Sequence, residues 1–242
     1  KDLVKKFSTD LGYLEADQNM PMVLRVNSFV NLSSNNAMYI PKEATAHGAA
    51  EISLGSGDGI VLQGLALDSD VISHEFAHHI VFQTLSSTSG ESLILHEGLA
   101  DYFSFAKNED PCLGESICVE GGGLCFVDGQ CLRTAENDLF FAEQPYLGME
   151  AHGKSQLISG LLWDLRTDIG DPLFTKTLFA SLAFLSEGTG IRQFLVALML
   201  ADLDLNQGQH SCHIYAKAED RGLAVLLEDV DCERPKNSET KR

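Results

Sequence analysis

The chain has 242 residues, which is long enough to bury a sizeable core in one domain or in two small lobes that share a cleft. Its 17 basic and 35 acidic side chains give a formal net charge of −18. This charge argues against nucleic acid or an anionic membrane as a partner, because both need clustered Lys and Arg. The sequence has no run of about eighteen apolar residues and therefore predicts no transmembrane segment.

The first part of the chain is predicted to be β-rich. Its short apolar runs, separated by turn-forming residues, are Met22–Val26, Ala37–Ile40, Glu51–Leu54 and Ile60–Leu62. A helix is predicted from Asp70, taken as its N-cap, to about Val81, because apolar residues recur there at helical spacing. A second helix is predicted from about Glu91 to Ala106, with Thr88 and Glu91 spaced as a capping box.

The second part of the chain is predicted to be mainly helical after an irregular segment. Residues 107–135 contain Pro111, several glycines and four cysteines, which indicates a Cys-rich insertion without regular structure. The helices predicted after it span residues 153–167, 173–186, 190–203 and 209–221.

The six cysteines favour disulfide bonds over a four-Cys zinc site. Four of them lie in the insertion at spacings of five, six and five residues, whereas a zinc site would require closer pairs. We expect Cys212–Cys232 as one bridge and the other four cysteines to pair within the insertion. Disulfides imply an oxidising compartment, so a secreted or extracytoplasmic location is expected.

Segment 74–78 has the pattern H-E-x-x-H on the first predicted long helix, which is a zinc-peptidase signature. His74 and His78, at i and i+4, lie on one helix face, where both imidazoles can bind one Zn²⁺ ion. Glu75 projects beside the metal and is the candidate general base. A chance pair of histidines is the alternative, but unpartnered imidazoles in this apolar helix would be costly.

Glu97 is the candidate third metal ligand. It follows His78 by nineteen residues, which leaves room for a turn and a returning second helix. Asp101, one turn further along the same face, is placed to orient a ligand histidine. His79 is interpreted as structural or surface exposed. His96 is interpreted as surface exposed, with a hydrogen bond to the site as the alternative.

These motifs resemble the thermolysin family and its fungalysin relatives. In those families H-E-x-x-H is followed by E-S-x-x-x-x-E-x-x-x-D, and residues 91–101 have this spacing. The resemblance implies that His74, His78 and Glu97 bind zinc, that Glu75 is the catalytic base, and that Asp101 is the partner of His74.

The resemblance extends weakly to either side. Asn36 and Ala37, in the sequence Asn-Ala-Met-Tyr, resemble the edge strand that binds the substrate backbone in this family, a binding mode with a physical basis in strand addition. His152 is the candidate for the family's oxyanion-stabilising histidine. Ser155 and Gln156 replace the Gly-Glu pair of fungalysins, so this match is partial.

Some expected features remain open. The residues that could replace the family's active-site tyrosine are Tyr39, Tyr102 and Tyr146. The carboxylates that could bind a Ca²⁺ ion are Asp68, Asp70, Glu109 and Asp110. The spacing of an EF-hand, however, is absent from the sequence.

The sequence therefore predicts an α+β, zincin-like, two-lobed metallopeptidase. Residues 1–83 form the β-rich lobe with the zinc-binding helix, and residues 84–242 form a mainly helical lobe with the Cys-rich insertion. The predicted function is a monomeric zinc endopeptidase of the gluzincin type acting on peptides or proteins. Two alternatives are a catalytically degenerate binding protein and a zinc hydrolase of non-peptide amides or esters.

Overall fold

The structure, a computed structural model, describes residues 22–125 and 130–230 together with Cys232. Its first part contains a three-stranded mixed sheet of β1 (Met22–Arg25), β2 (Ala37–Ile40) and β3 (Ala50–Leu54). The strand order is β1–β3–β2, with β1 parallel and β2 antiparallel to the central strand. All five residues of β3 are buried, whereas β2 lies at an edge of the sheet.

The remainder is mainly helical. The α-helices are α1 (Ser69–Phe82), α2 (Gly90–Asn108), α3 (Ala151–Ile169), α4 (Leu173–Leu182), α5 (Ile191–Asn206) and α6 (Ser211–Asp220). Short 3-10 helices span Lys42–Ala44, Leu65–Leu67, Glu115–Ile117, Tyr146–Gly148 and Leu223–Leu227. Two short strands, β4 (Cys112–Leu113) and β5 (Arg133–Thr134), pair within the insertion. The predicted α+β class is confirmed.

Helix α2 is the centre of the hydrophobic core. Nearly every residue between Ser92 and Ala106 is buried, because α1 covers one side of the helix and α3 the other. Phe103, fully buried, stacks on Phe179 of α4 with ring centroids 4.7 Å apart. Burying a side chain of this size stabilises the fold by about 2–3 kcal/mol. Residues on α2 are therefore held in position by the whole core.

Gly98 allows α3 to approach α2 closely. A Cβ atom at this position would lie 2.7 Å from the Cβ of Ile158 and 2.9 Å from the carbonyl oxygen of Ser155. Neither atom is at the flexible end of a side chain, so α3 would have to move away. The absence of a side chain next to Glu97 thus sets the distance between the two helices.

The helix termini differ from the predicted ones. Asp68, rather than Asp70, is the N-cap of α1, since its carboxylate accepts hydrogen bonds from the N–H groups of Asp70 and Val71 at 2.8 and 3.2 Å. Glu91 forms no capping box with Thr88. Its carboxylate instead accepts the backbone N–H of Ile191 at 3.0 Å, at the start of α5.

Three disulfides cross-link the described residues. Cys212–Cys232 is present as predicted, and the insertion contains Cys112–Cys131 and Cys118–Cys125. Within the described residues, no helix is both long enough and apolar enough to cross a bilayer.

Candidate metal centre

Helices α1 and α2 bring the three predicted metal ligands together. The helices are antiparallel neighbours, so that His74 lies opposite Asp101 and His78 opposite Glu97. The Nε2 atoms of His74 and His78 are 3.0 Å apart. The Glu97 carboxylate lies 3.3 Å from Nε2 of His74 and 3.6 Å from Nε2 of His78.

These distances fit a tetrahedral zinc site. Ligand atoms about 2.0–2.1 Å from a tetrahedral ion are roughly 3.3 Å from one another. Oε2 of Glu97 is buried, and its nearest polar neighbour is Nε2 of His74 at 3.3 Å, beyond an ideal hydrogen-bond distance, which is costly unless a cation binds there. Two imidazoles and one carboxylate are also the ligand set of many catalytic zinc sites. The residues present therefore fit the ion.

Asp101 orients His74. Its Oδ1 lies 2.8 Å from Nδ1 of His74, and its side chain is fully buried. Because the carboxylate accepts the Nδ1 proton, Nε2 is the ring nitrogen that faces Glu97. Burial alone would lower the pKa of His74, but the hydrogen bonds to Asp101 and Glu97 raise it to about 10 in the metal-free chain. Binding a metal cation would therefore displace a proton from this imidazole.

His96 is buried and contacts the second ligand, so its interpretation as a surface residue was wrong. Only 3% of its surface is exposed, and its Nδ1 lies 2.7 Å from Nδ1 of His78. Burial lowers the pKa of His96 to about 4, which keeps the ring neutral at pH 7. A neutral His96 can accept the Nδ1 proton of His78, which leaves Nε2 of His78 to bind the metal.

Arg133, which no sequence motif indicated, completes the hydrogen-bond network around Asp101. Its guanidinium, on β5, donates to both carboxylate oxygens of Asp101 at 2.8 and 2.7 Å. One of its amino groups also lies 3.5 Å from Nδ1 of His74. A signal was present in the sequence, since Arg133 is the only Lys or Arg between Lys107 and Lys154.

Glu75 lies between the metal ligands and β2. Its carboxyl is buried, which raises its pKa to about 7 even though nearby His74 lowers it. The backbone N–H of Tyr39 donates a hydrogen bond to this carboxylate. Oε2 of Glu75 is buried and has no hydrogen-bond partner among the described residues.

The backbone of Ala37 faces the cavity beside Glu75. The carbonyl oxygen of Asn36 accepts the N–H of Gly55, next to β3, at 2.9 Å. Because backbone groups alternate in direction along a strand, the N–H and C=O of Ala37 point away from β3 to the open edge of the sheet. Asn36 and Ala37 both line the cavity that contains Glu75. Among the described residues, this strand lies at an edge of the sheet, and its role in substrate binding stays a prediction.

His152 lies at the rim of the same cavity, in the first turn of α3. Its Nε2 is 3.6 Å from Oε2 of Glu97, and about half of its side chain is exposed. Its Nδ1 is 2.9 Å from the carboxylate of Glu150, the N-cap of α3, which also accepts the backbone N–H groups of His152 and Gly153.

The residues that depart from the fungalysin pattern have structural roles. Ser155 is fully buried, and its hydroxyl donates to the carbonyl oxygen of His152 at 2.8 Å. Oε1 of Gln156 accepts the backbone N–H of Thr134, next to Arg133, at 3.1 Å. Ser155 therefore binds within the first turn of α3, and Gln156 joins α3 to the insertion.

Two further expectations gain no support. Within the described residues, no tyrosine lines the cavity beside Glu75, and the hydroxyl of buried Tyr102 is bonded to Thr175. A calcium site is also unsupported, because the buried carboxylates of Asp68 and Asp70 are engaged in hydrogen bonds to the backbone and to Ser116, Asn108 and Gly114.

Comparison with known proteins supports the fold rather than a sequence family. No protein-family profile matches the sequence, and no curated protein matches it either. Among solved structures, the fold is similar to one described as the precursor of protealysin, a metalloproteinase from Serratia proteamaculans, with a TM-score of 0.68 and 16% identity. The similarity covers 91% of this chain and 74% of that chain.

The fold similarity and the ligand cluster agree with each other. The chain shares the fold of this metalloproteinase precursor, and its His74, His78 and Glu97 lie close enough together to hold a metal ion. The resemblance indicated by the motifs is therefore confirmed at the level of the fold and of this cluster.

Proposed function

We propose that this protein is a zinc-dependent endopeptidase of the gluzincin type, which hydrolyses peptide bonds with Glu75 as general base. The carrying observation is the convergence of His74, His78 and Glu97 beside a buried carboxylate and the open edge of β2. A zinc ion held by these three residues would polarise the scissile carbonyl and would lower the pKa of a water molecule towards ~7.

Glu75 is the group that moves the proton. Burial raises the pKa of this carboxyl, whereas a cation bound beside it would lower the pKa again, and a carboxyl balanced in this way can both take up and release a proton near neutral pH. Because Tyr39 fixes the carboxylate from β2, Oε2 of Glu75 remains available to the attacking water. Glu75 then takes the proton from this water and delivers it to the leaving amine.

His152 is placed to stabilise the developing oxyanion. Its Nε2 faces the ligand cluster, and the Glu150 carboxylate holds Nδ1 on the opposite side of the ring. When both nitrogens carry protons, Nε2 can donate to an oxyanion at the metal centre. A single donor of this kind contributes about 10²–10³ in kcat.

The substrate backbone is expected to lie along β2. An extended peptide can pair with the free N–H and C=O of Ala37, and Asn36 lies at the same edge. Arg133 borders the same cavity and provides a cation near the peptide carbonyl groups. These contacts favour a peptide substrate over a small amide or ester.

The cavity beside Glu75 favours an apolar substrate side chain. Its aliphatic lining residues are Leu62, Leu65, Val71, Leu113, Ile117 and Leu132. Burying an apolar side chain there contributes about 25 cal/mol per Å² removed from water. We therefore expect preferential cleavage next to large aliphatic or aromatic residues.

The wider setting follows from the same proposal. Residues 1–83 and 84–242 would form the two lobes on either side of the cleft. Three disulfides are consistent with a secreted or extracytoplasmic enzyme. A monomer is sufficient, because one chain supplies every proposed catalytic group.

The test combines zinc stoichiometry with casein cleavage. We expect one zinc per chain in the wild type, and cleavage that a chelator abolishes and added zinc restores. Glu75→Gln should retain zinc and lose cleavage, because the amide cannot accept the proton. Glu187→Gln, the same change at an exposed position, should behave as the wild type. Absence of zinc from the folded chain in the presence of excess metal would refute the proposal.

Two rival functions have distinct outcomes. A catalytically degenerate binding protein would hold zinc but cleave neither casein nor small amides. A hydrolase of non-peptide substrates would turn over small amides or esters and leave casein intact.

His152→Ala should lower kcat by about 10²–10³ without loss of zinc. His213→Ala, which removes another carboxylate-paired histidine far from the cluster, should not.

A further inference from the structure

The Cys-rich insertion supplies one wall of the candidate site. Among the residues that line the cavity beside Glu75, four belong to the insertion: Leu113, Ile117, Leu132 and Arg133. We call these four residues the insertion wall. Leu113 and Ile117 are almost fully buried, although they belong to a segment with very little regular secondary structure.

The backbone of the insertion wall includes a very short antiparallel pair of strands. β4 and β5 have two residues each, with Cys112 opposite Thr134 and Leu113 opposite Arg133. The N–H of Leu132 also donates to the carbonyl oxygen of Leu113 at 2.8 Å. A two-stranded ladder of this size is at best marginally stable in water. Its few hydrogen bonds cannot by themselves fix the distance between Leu113 and Leu132.

The disulfide Cys112–Cys131 joins the two strands at this point. Cys112 directly precedes Leu113, and Cys131 directly precedes Leu132. The second disulfide of the insertion, Cys118–Cys125, closes a smaller loop within the first and does not connect β4 to β5. The covalent cross-link is therefore adjacent to both leucines of the wall.

We propose that Cys112–Cys131 is a positioning element for side-chain selectivity, holding Leu113 and Leu132 at the spacing that an apolar substrate side chain fills. This inference rests on the proposed peptidase function and deepens it. The bond does not touch substrate; it acts through the two leucines that follow its cysteines.

The metal site has its own supports. Arg133 is held by Asp101 of α2, and the N–H of Thr134 by Gln156 of α3. Both contacts tie β5 to helices, and neither involves β4 or the disulfide. Loss of the disulfide therefore loosens the spacing between the leucines while Arg133 stays paired. Selectivity and KM should change, with zinc retained and kcat nearly unaffected.

The experiment compares two disulfide deletions with matched loop lengths. The test variant is Cys112→Ser with Cys131→Ser, and the control is Cys212→Ser with Cys232→Ser. The bridges span sequence separations of 19 and 20 residues, so the entropy that each removes from the unfolded chain is the same. Only the first bridge lies next to the cavity. Cys112→Ala with Cys131→Val is measured in parallel, in case the hydroxyl groups impair folding.

Two readouts are taken on zinc-loaded protein. Calorimetry measures the binding of two dipeptide hydroxamates that differ only in a leucine or a glycine side chain, and kinetics gives kcat and KM for peptides with the same difference. We expect the preference for leucine over glycine to fall at least tenfold in the test variants and less than twofold in the control. Each protein should hold one zinc per chain.

Each outcome decides between explanations. An unchanged preference in a folded, zinc-loaded test variant would overturn the inference and leave the proposed function intact. A wild type that binds the leucine hydroxamate preferentially but cleaves nothing would refute the proposed function. The ratio of the affinities for the leucine and glycine hydroxamates would still test the role of the disulfide in positioning the insertion wall. Loss of zinc from both test variants would overturn the inference too, because the disulfide would then support the metal site as a whole.

Discussion

The candidate site is built from two regions that are held in place by different means. The helix pair α1–α2 presents His74, His78 and Glu97 from the centre of the hydrophobic core, where packing on both sides fixes the backbone. The insertion presents Leu113 and Arg133 from two-residue strands, a disulfide and a few side-chain hydrogen bonds. The metal ligands therefore depend on cooperative packing, and the opposite wall on local cross-links.

This difference separates binding of the metal from recognition of the substrate. Changes in the core should affect stability and zinc together, because the same helices serve both. Changes in the insertion should alter the cavity while the ligands stay in place. Asp101 is the point at which the regions meet, since it contacts His74 of α1 and Arg133 of β5.

The largest effect is expected from breaking that contact. Asp101→Asn removes the charge that compensates buried Arg133 and that orients His74. Breaking a buried ion pair of this kind costs about 3–5 kcal/mol. Urea unfolding of the zinc-free protein measures the loss, and a parallel zinc titration should show weaker binding.

A matched variant shows whether the loss of stability depends on the burial of the ion pair or arises from the loss of any ion pair. Asp229→Asn removes a carboxylate that binds Arg192 through both oxygens at 2.8 and 2.7 Å, but on the exposed surface. It should leave stability nearly unchanged. Equal losses in the two variants would contradict the role assigned to Asp101.

A smaller effect is expected within the helix pair. Gly98→Ala should destabilise the fold by about 1–3 kcal/mol, since the new Cβ overlaps Ile158 and the backbone of Ser155. The helix propensity that alanine adds offsets up to about 1 kcal/mol of this loss. Thermal unfolding measures the effect. In the Gly98→Ala background, Ile158→Ala should be less costly than in the wild type. Additive losses would show that the helices do not clash.

The smallest effect concerns the contact between the insertion and α1. Burial and a hydrogen bond to Asp70 raise the pKa of Glu115 to about 7, well above its value near 4.3 in an unfolded chain. The folded state therefore binds this proton more tightly. Its contribution to stability is complete below about pH 4 and is lost as the pH rises through 7.

The change in the free energy of unfolding that Glu115→Gln causes, relative to the wild type, should therefore be more favourable at pH 8 than at pH 5. The difference should be at most about 1 kcal/mol, because the side chain is largely solvated and the interaction is screened. Urea unfolding at the two pH values measures it, with Glu136→Gln, an exposed position directly after the insertion, as control. An effect independent of pH would contradict the raised pKa.

The contrast between the helix pair α1–α2 and the insertion also explains which parts of the site could be predicted from the sequence. His74 and His78 are four residues apart, as are Glu97 and Asp101, so each pair could be placed on one face of its helix without knowing the fold. Arg133 lies 32 residues after Asp101, in a segment without periodicity, and only the folded ladder brings the two together. The burial of His96 was missed because its surroundings come from α1, a neighbour in space rather than in sequence.

The helix termini were hard to predict for a related reason. Asp68 and Asp70 are both acceptable N-cap residues, and the choice depends on Gly114 and Asn108, which bind Asp70 from the insertion and from the end of α2. Glu91 has the spacing of a local capping box, yet its oxygen accepts an N–H one hundred residues further along the chain. Tertiary contacts replaced the local hydrogen bonds that the motifs favour.

The Glu91 contact also restricts where residues can be inserted into the chain or deleted from it. Glu91 accepts the N–H of Ile191, and the hydroxyl of Ser92 donates to the carbonyl oxygen of Thr189, so the turn before α5 is tied to the start of the helix that carries Glu97. A residue inserted into that turn would shift the metal ligand, even though the turn is distant from it in sequence. Between Cys118 and Cys125, extra residues would lengthen a closed loop and leave both helices in register. Natural length variants should therefore cluster in the insertion and be absent from the turn at residues 186–190.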